Sequence, residues 1–165
     1  MANYPSERGF VLIATSIALV ILLALAGVGI DFGRMYVIRG ELQSFADAAA
    51  IAAASRLDGT AGGLEKARQA PSYLATGTHA MKWDMGTQPI TDFATSFAKG
   101  DATPDAKTWQ EAPQDASDCR FVRVVASARA PLIFLRAFEA LQPDTPVVAA
   151  ASVAVKSEQI ARLVQ

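Results

Sequence analysis

The sequence predicts an α+β fold, with one long N-terminal helix packed on a small domain that holds a few-stranded β-sheet. Three observations carry this. Phe10 to Ile30 contains 21 residues and no ionisable side chain. From Met35 the apolar positions recur at Ile38, Leu42, Phe45, Ala49 and Ala52, the steps of three and four that line one helical face. Near the other end, Phe121, Arg123, Val125 and Ser127 alternate with Val122, Val124, Ala126 and Ala128, the period of a half-buried strand.

The first helix follows from these patterns. At 1.5 Å per residue, the charge-free run makes a helix about 32 Å long, close to the hydrocarbon thickness of a bilayer. No proline interrupts the chain from Gly27 to Leu57, and alanine, the best helix former, dominates Ala46–Ala54. The helix is expected to run from about Phe10 to Leu57 and to end at Asp58-Gly59, with Gly59 suited to the cap. Its first half fits lipid and its second half fits a protein surface. Gly27, Gly29 and Gly33 at the junction mark the place for a kink or local melt. Gly29 and Gly33 also form a small-xxx-small pair, as do Ala46, Ala50 and Ala54, which suits close helix approach. Four segments result: a leader or cytoplasmic tail (1–9), a transmembrane segment (10–30), a continuation of the helix outside the membrane (31–58) and a small α+β domain (59–165).

A second reading of the N-terminus is a secretory signal. Phe10–Leu23 has the length of an apolar signal core, and Ala24-Leu25-Ala26 supplies a small-x-small cleavage pattern, so a cut after Ala26 would release a soluble domain. The periodic run past Ala26 weighs against it. Charge does not orient the span, because Arg8 lies on one side and Arg34 and Arg39 on the other.

Beyond Gly59–Gly63, a glycine-rich connector, Leu64 to Met81 has mixed helical character interrupted by Pro71, with Leu64, Ala67, Ala70, Leu74 and Met81 on one face. A short strand is expected around Ile90–Phe97, then a polar loop from Gly100 to Asp118, in which Trp109 is either an internal anchor or a partner contact. In the strand that follows, Val122, Val124, Ala126 and Ala128 should face a core, and the face with Arg123 and Arg129 should face water. Leu132–Leu141 reads as a small buried helix, Val147–Val155 as a second strand, and the last eight residues as a terminal helix or tail. A strand, short helix and strand packed on the amphipathic half of the long helix make a coherent layer structure.

The net charge of −1, with no basic or acidic block, argues against nucleic acid as a partner. Cys119 is the single cysteine, so no disulfide forms within the chain. Cys119 is read as a small buried residue beside a strand, and His79 as a surface residue. No phosphate loop, HExxH or paired-cysteine pattern is present, so no catalytic residue, cofactor, metal or small-molecule substrate is expected. Asp31 is the most tempting single residue. It reads either as a polar exit from the membrane paired with Arg34 at i, i+3, or as a contact to another subunit's helix.

The series Arg8-Gly9, Gly29-x-Asp31-x-Gly33-Arg34-x-Tyr36, Arg39, Leu42-Gln43 and Ala46-Asp47-Ala48-Ala49-Ala50 resembles the N-terminal module of TadE/TadG-like proteins of tight-adherence (Flp-type) pilus systems. The resemblance covers about the first third of the chain. It implies a pilin-like protein of the bacterial inner membrane, single-pass, with its N-terminus cytoplasmic and its C-terminal domain periplasmic, serving pilus assembly. Its partners would be the bilayer and other pilins or Tad assembly proteins, met through helix packing at Gly29, Asp31, Gly33, Arg34, Tyr36, Arg39, Leu42, Gln43, Ala46, Asp47 and Ala50. Long TadG-type members add a von Willebrand A-like domain; this chain reads as a short member without it. Gly9-Phe10-Val11-Leu12-Ile13 separately looks like the start of type IV pilins, whose leader is cut after the glycine by a prepilin peptidase, here between Gly9 and Phe10. Those proteins carry Glu at the fifth position after the cut, where it offsets a buried N-terminal ammonium. Here that position is Ala14, and Thr15 and Ser16 can only hydrogen-bond, for instance to their own helix. The leading expectation is therefore a structural minor pilin or assembly factor of a Tad-type apparatus, either uncut or cut but placed where no pairing is needed. The rivals are a released soluble domain and a membrane-anchored enzyme.

Overall fold

The computed structural model describes residues 8–100, 108–138 and 147–156. Residues 1–7 of the expected leader or cytoplasmic tail, Pro104, and the expected terminal helix or tail lie outside them. The long helix, α1, spans Arg8–Ala54 and runs unbroken through Gly27, Gly29 and Gly33. The expected local melt is not seen, because each glycine keeps helical backbone between strong helix-forming flanks. The helix is long and apolar enough to cross a membrane. Its apolar half is bare: Phe10, Leu12, Val20 and Leu23 all have more than half of their surface open.

The second half is covered. Ile38, Leu42, Phe45, Ala46, Ala49, Ala50 and Ala53 are fully buried. This set is wider than the single stripe read from periodicity because α1 is packed on two sides. A second helix, α2 (Ala61–Ala75), lies on one flank and the sheet on the other. Gly59 adopts φ +87 at the turn between the helices, the left-handed conformation that glycine reaches without a Cβ penalty. Thr60 caps α2, its hydroxyl accepting from the Gly63 N–H at 3.0 Å, and itself donates to Asp58.

Pro71 does not interrupt α2, contrary to the sequence reading; the helix continues to Ala75. The proline ring is buried on the same face as Leu64, Ala67, Ala70 and Ala75, so packing on α1 offsets the hydrogen bond that proline cannot donate.

Two short strands, β1 (Lys82–Trp83) and β2 (Gln88–Pro89), form a hairpin absent from the sequence reading. The main sheet is an antiparallel meander, β3 (Asp92–Lys99), β4 (Cys119–Arg129) and β5 (Val147–Val155), in that spatial order. The strand expected at Ile90–Phe97 is thus shifted by two residues, and Ile90 is buried just before it. Val122, Val124, Ala126 and Ala128 are buried against α1 as expected. The other face of β4 is not bare, since Phe121 is also buried. The chain after residue 107 returns along this sheet. Phe97 and Gln110 exchange two backbone bonds at 2.7 and 2.9 Å, and the Arg123 guanidinium sits 5.8 Å from the Trp109 ring centre. Trp109 therefore anchors its own loop.

The region after Pro131 also departs from expectation. Its only helical element among the described residues is a 3-10 turn, Leu135–Phe138, and Ile133 and Phe134 are 57% and 42% exposed. Residues 139–141 lie outside the described residues. The segment is not buried because it sits beside the apolar half of α1, beyond the reach of α2 and the sheet.

Candidate functional site

The Gly29–Ala50 series of α1 divides into two faces. One is turned into the chain's own domain. Asp31 is 1% exposed, and its carboxylate accepts three backbone N–H groups: Ile133 at 3.0 Å, Phe134 at 2.9 Å and Leu135 at 2.6 Å. Burial alone would raise this carboxyl, but the three donors and the nearby Arg34 charge outweigh burial and hold it below the ordinary aspartate value of 3.8. One turn further, Arg34 donates to both oxygens of Asp84 at 2.9 and 2.7 Å and to the Pro131 carbonyl at 3.3 Å. The Asp84 bond keeps the guanidinium protonated even more firmly than usual. Asp31 and Arg34 thus hold two different loops, the β4–β5 connection and the β1–β2 turn.

The hairpin turn is shaped for this. Asp84 and Met85 both take φ 56, unusual for residues with a Cβ. That conformation aims the Asp84 carboxylate at Arg34 and the Met85 N–H at both carboxylate oxygens of Glu41, 3.0 and 3.2 Å away. Gln43 donates to Asp47 at 2.8 Å and to the Ala151 carbonyl of β5 at 3.3 Å. Leu42, Ala46 and Ala50 are fully buried in the core. The Ala46, Ala50 and Ala54 series is covered by the chain's own domain, so it presents nothing to another helix.

The other face is open. A carbon added at Gly29, Gly33 or Gly40 would have no neighbour within 4 Å. Tyr36 is 80% exposed, and Arg39 and, further along the helix, Asp47 are exposed too. With steps of four, three and four, Gly29, Gly33, Tyr36 and Gly40 form one ridge. A cleft of about 450 Å³ adjoins it, lined by Phe32, Met35, Tyr36 and Arg39 from α1 and by Val147–Ala149 from β5.

At the N-terminal end, Gly9, Phe10 and Ala14 are exposed on the helix, and Ser16 Oγ donates to the Leu12 carbonyl at 2.8 Å. Cys119 is buried at the start of β4 and His79 is exposed in a turn. Among the described residues no cluster of His, Cys, Asp or Glu could hold a metal ion.

Sequence reasoning missed Asp84, Glu41 and the backbone donors of residues 133–135. The Asp84-Met85-Gly86 turn between a tryptophan and a threonine carried a hairpin signal. The donors carried none, because a backbone N–H has no sequence signature.

Residues 9–56 match the family model described as putative Flp pilus-assembly TadE/G-like. No curated protein and no solved structure matches the chain.

Proposed function

We propose that this chain, TadE/G-like over residues 9–56, is a membrane-anchored structural component of a Tad-type pilus apparatus, a minor pilin or pilin-like assembly factor with no enzymatic role. The observation that carries the reading is the division of labour along α1. The half before Asp31 is apolar and bare, as a lipid-facing helix requires. The half after it is the spine of a small domain, and the inward members of the family series, Asp31 and Arg34, rivet that domain to the helix. What remains for partners is the outward ridge of Gly29, Gly33, Tyr36 and Gly40, with the cleft beside it. Small residues let a neighbouring helix approach closely there.

In this reading residues 10–30 span the inner membrane, with the N-terminus cytoplasmic and the domain periplasmic. Ala14 and the Ser16 bond to its own helix leave a freshly cut N-terminus without a carboxylate in the usual pilin place, which favours an uncut anchor or a position at a filament tip over a repeating subunit.

Intact-mass measurement of the protein purified from membranes tests this. A terminus at Met1 or Ala2 supports the uncut anchor, and one at Phe10 supports a processed minor pilin. A terminus at Gly27, with release by alkaline carbonate, overturns both. Immunogold labelling of sheared pili then separates filament from assembly platform.

A further inference from the structure

Pro131-Leu132-Ile133-Phe134 is an apolar loop that runs through Leu135, the first residue of the 3-10 turn, into Arg136. It is held against α1 at a level that matters. Phe134 packs on Gly27 so closely that a carbon added to Gly27 would lie 2.6 Å from the ring. Gly27 is inside the charge-free stretch, four residues before Asp31, about 6 Å further along the helix axis.

We infer that Leu132–Leu135 is a lipid-inserted foot, dipping into the outer edge of the bilayer beside the spanning helix. The inference rests on the reading that residues 10–30 cross the membrane. Two independent observations support it. The first is surface. Ile133 and Phe134 are exposed and adjoin the bare apolar half of α1, where Ile30 is also exposed. The patch is continuous with the lipid-facing surface of the helix, and lipid covers both with one medium. The second is the backbone. A non-helical segment at the membrane edge, where water is scarce, is helped by any backbone donors that the protein itself satisfies. Pro131 has no N–H, and its carbonyl accepts from Arg34. The N–H groups of Ile133, Phe134 and Leu135 are all taken by Asp31. A buried carboxylate at the membrane edge is thereby explained, since it supplies the acceptors that water would supply to an ordinary surface loop. The occupant is lipid rather than a second copy of the chain, because the outward ridge suited to another helix lies elsewhere on α1. Attachment at helix and foot fixes the tilt of the domain and so the direction in which that ridge faces along the membrane.

The test uses nitroxide labels on the full chain, in vesicles of phosphatidylethanolamine and phosphatidylglycerol. Labels are placed at three exposed positions, Ile133→Cys, Leu19→Cys and Tyr73→Cys, in a Cys119→Ala background. A parallel set keeps the buried Cys119, in case that background unfolds. Collision rates with oxygen, which partitions into lipid, are compared with those of a water-soluble nickel chelate. Leu19 should report deep lipid and Tyr73 water, with Ile133 between them and its oxygen-to-nickel ratio severalfold above that of Tyr73. An Ile133 ratio equal to that of Tyr73 overturns the foot while Leu19 still reports lipid. Shielding of Ile133 from both reagents, with spin–spin broadening, also overturns it, because a protein then covers the patch. If Leu19 reports water, the spanning reading itself fails and the foot falls with it.

Discussion

Arg34 on the long helix and Asp84 in the β1–β2 turn meet fork to fork, with both carboxylate oxygens engaged at 2.9 and 2.7 Å. The two residues are 50 positions apart in the chain, and their side chains are 22% and 8% exposed. The pair holds a turn in left-handed backbone against the helix that would otherwise leave it. Arg34→Ala would strand the Asp84 carboxylate half-desolvated. The domain should lose about 2 kcal/mol, or about 10 °C in Tm, read by thermal unfolding in detergent. Asp84→Ala in the same background should recover part of that loss, because no charge is then left unpaired.

Gly27 is a glycine that the fold requires, since a carbon added there would lie 2.6 Å from the Phe134 ring. Gly27→Val should displace Phe134 and free the loop after Pro131, seen as faster chymotrypsin cleavage at Phe134 and a destabilisation of about 1–3 kcal/mol. Gly29→Val should leave both readings unchanged, since nothing lies within 4 Å of the added carbon.

Docking of the 131–135 segment should depend on pH in one direction only. The Asp31 carboxyl titrates lower when docked than the ordinary value of 3.8. Its stabilisation is therefore complete above the ordinary aspartate range. It fades as pH falls through 3.8, where the undocked state takes up a proton first, and is gone below the docked value. A nitroxide at Ile133 should stay immobile from pH 8 to about 5 and gain mobility below about 4. Asp31→Asn should make the label mobile at every pH, because an amide offers fewer acceptor sites for three donors.

The thiol of Cys119 should be inert in the folded protein. Burial pushes it above its ordinary value, and its Sγ lies 3.4 Å from the Asp115 carbonyl. Maleimide modification at pH 7 should proceed at the rate of unfolding, and become fast in 6 M urea, a denaturant concentration at which about 1–3 kcal/mol per molar unfolds a small domain.

The outward ridge should matter to assembly and not to stability. Gly33→Leu and Tyr36→Ala should leave Tm within about 0.5 kcal/mol of the parent, as exposed substitutions do. Both should reduce pilus formation, counted by electron microscopy of cells complemented with each variant. Normal piliation in both variants would remove the ridge as the partner surface.

Much of this architecture was legible in the residue pattern because it depends on periodicity. The charge-free run identifies a helix suited to lipid, and the stripe from Ile38 to Ala49 and the alternation along β4 each identify an element and its buried face, with no knowledge of neighbours. The G-x-D-x-G-R series was legible too, but only as a series. Whether Asp31 served a neighbouring subunit or its own chain was a question of what lay 102 to 104 residues away. The same holds for Pro71, which local propensity treats as a break and packing on α1 tolerates. It also holds for Ile133 and Phe134, whose apolar character suggested burial while their position beside the bare helix left them open. By itself, the sequence determined a lipid-suited helix, an amphipathic continuation and a half-buried sheet, because local periodicity encodes each. Only the tertiary structure decided that Asp31 and Arg34 face inward and that Gly29, Gly33 and Tyr36 stay uncovered by the chain's own domain. Hydrogen bonds to backbone donors, and the close approach of a ring to a glycine, arise from chain segments far apart in sequence and leave no trace in local spacing.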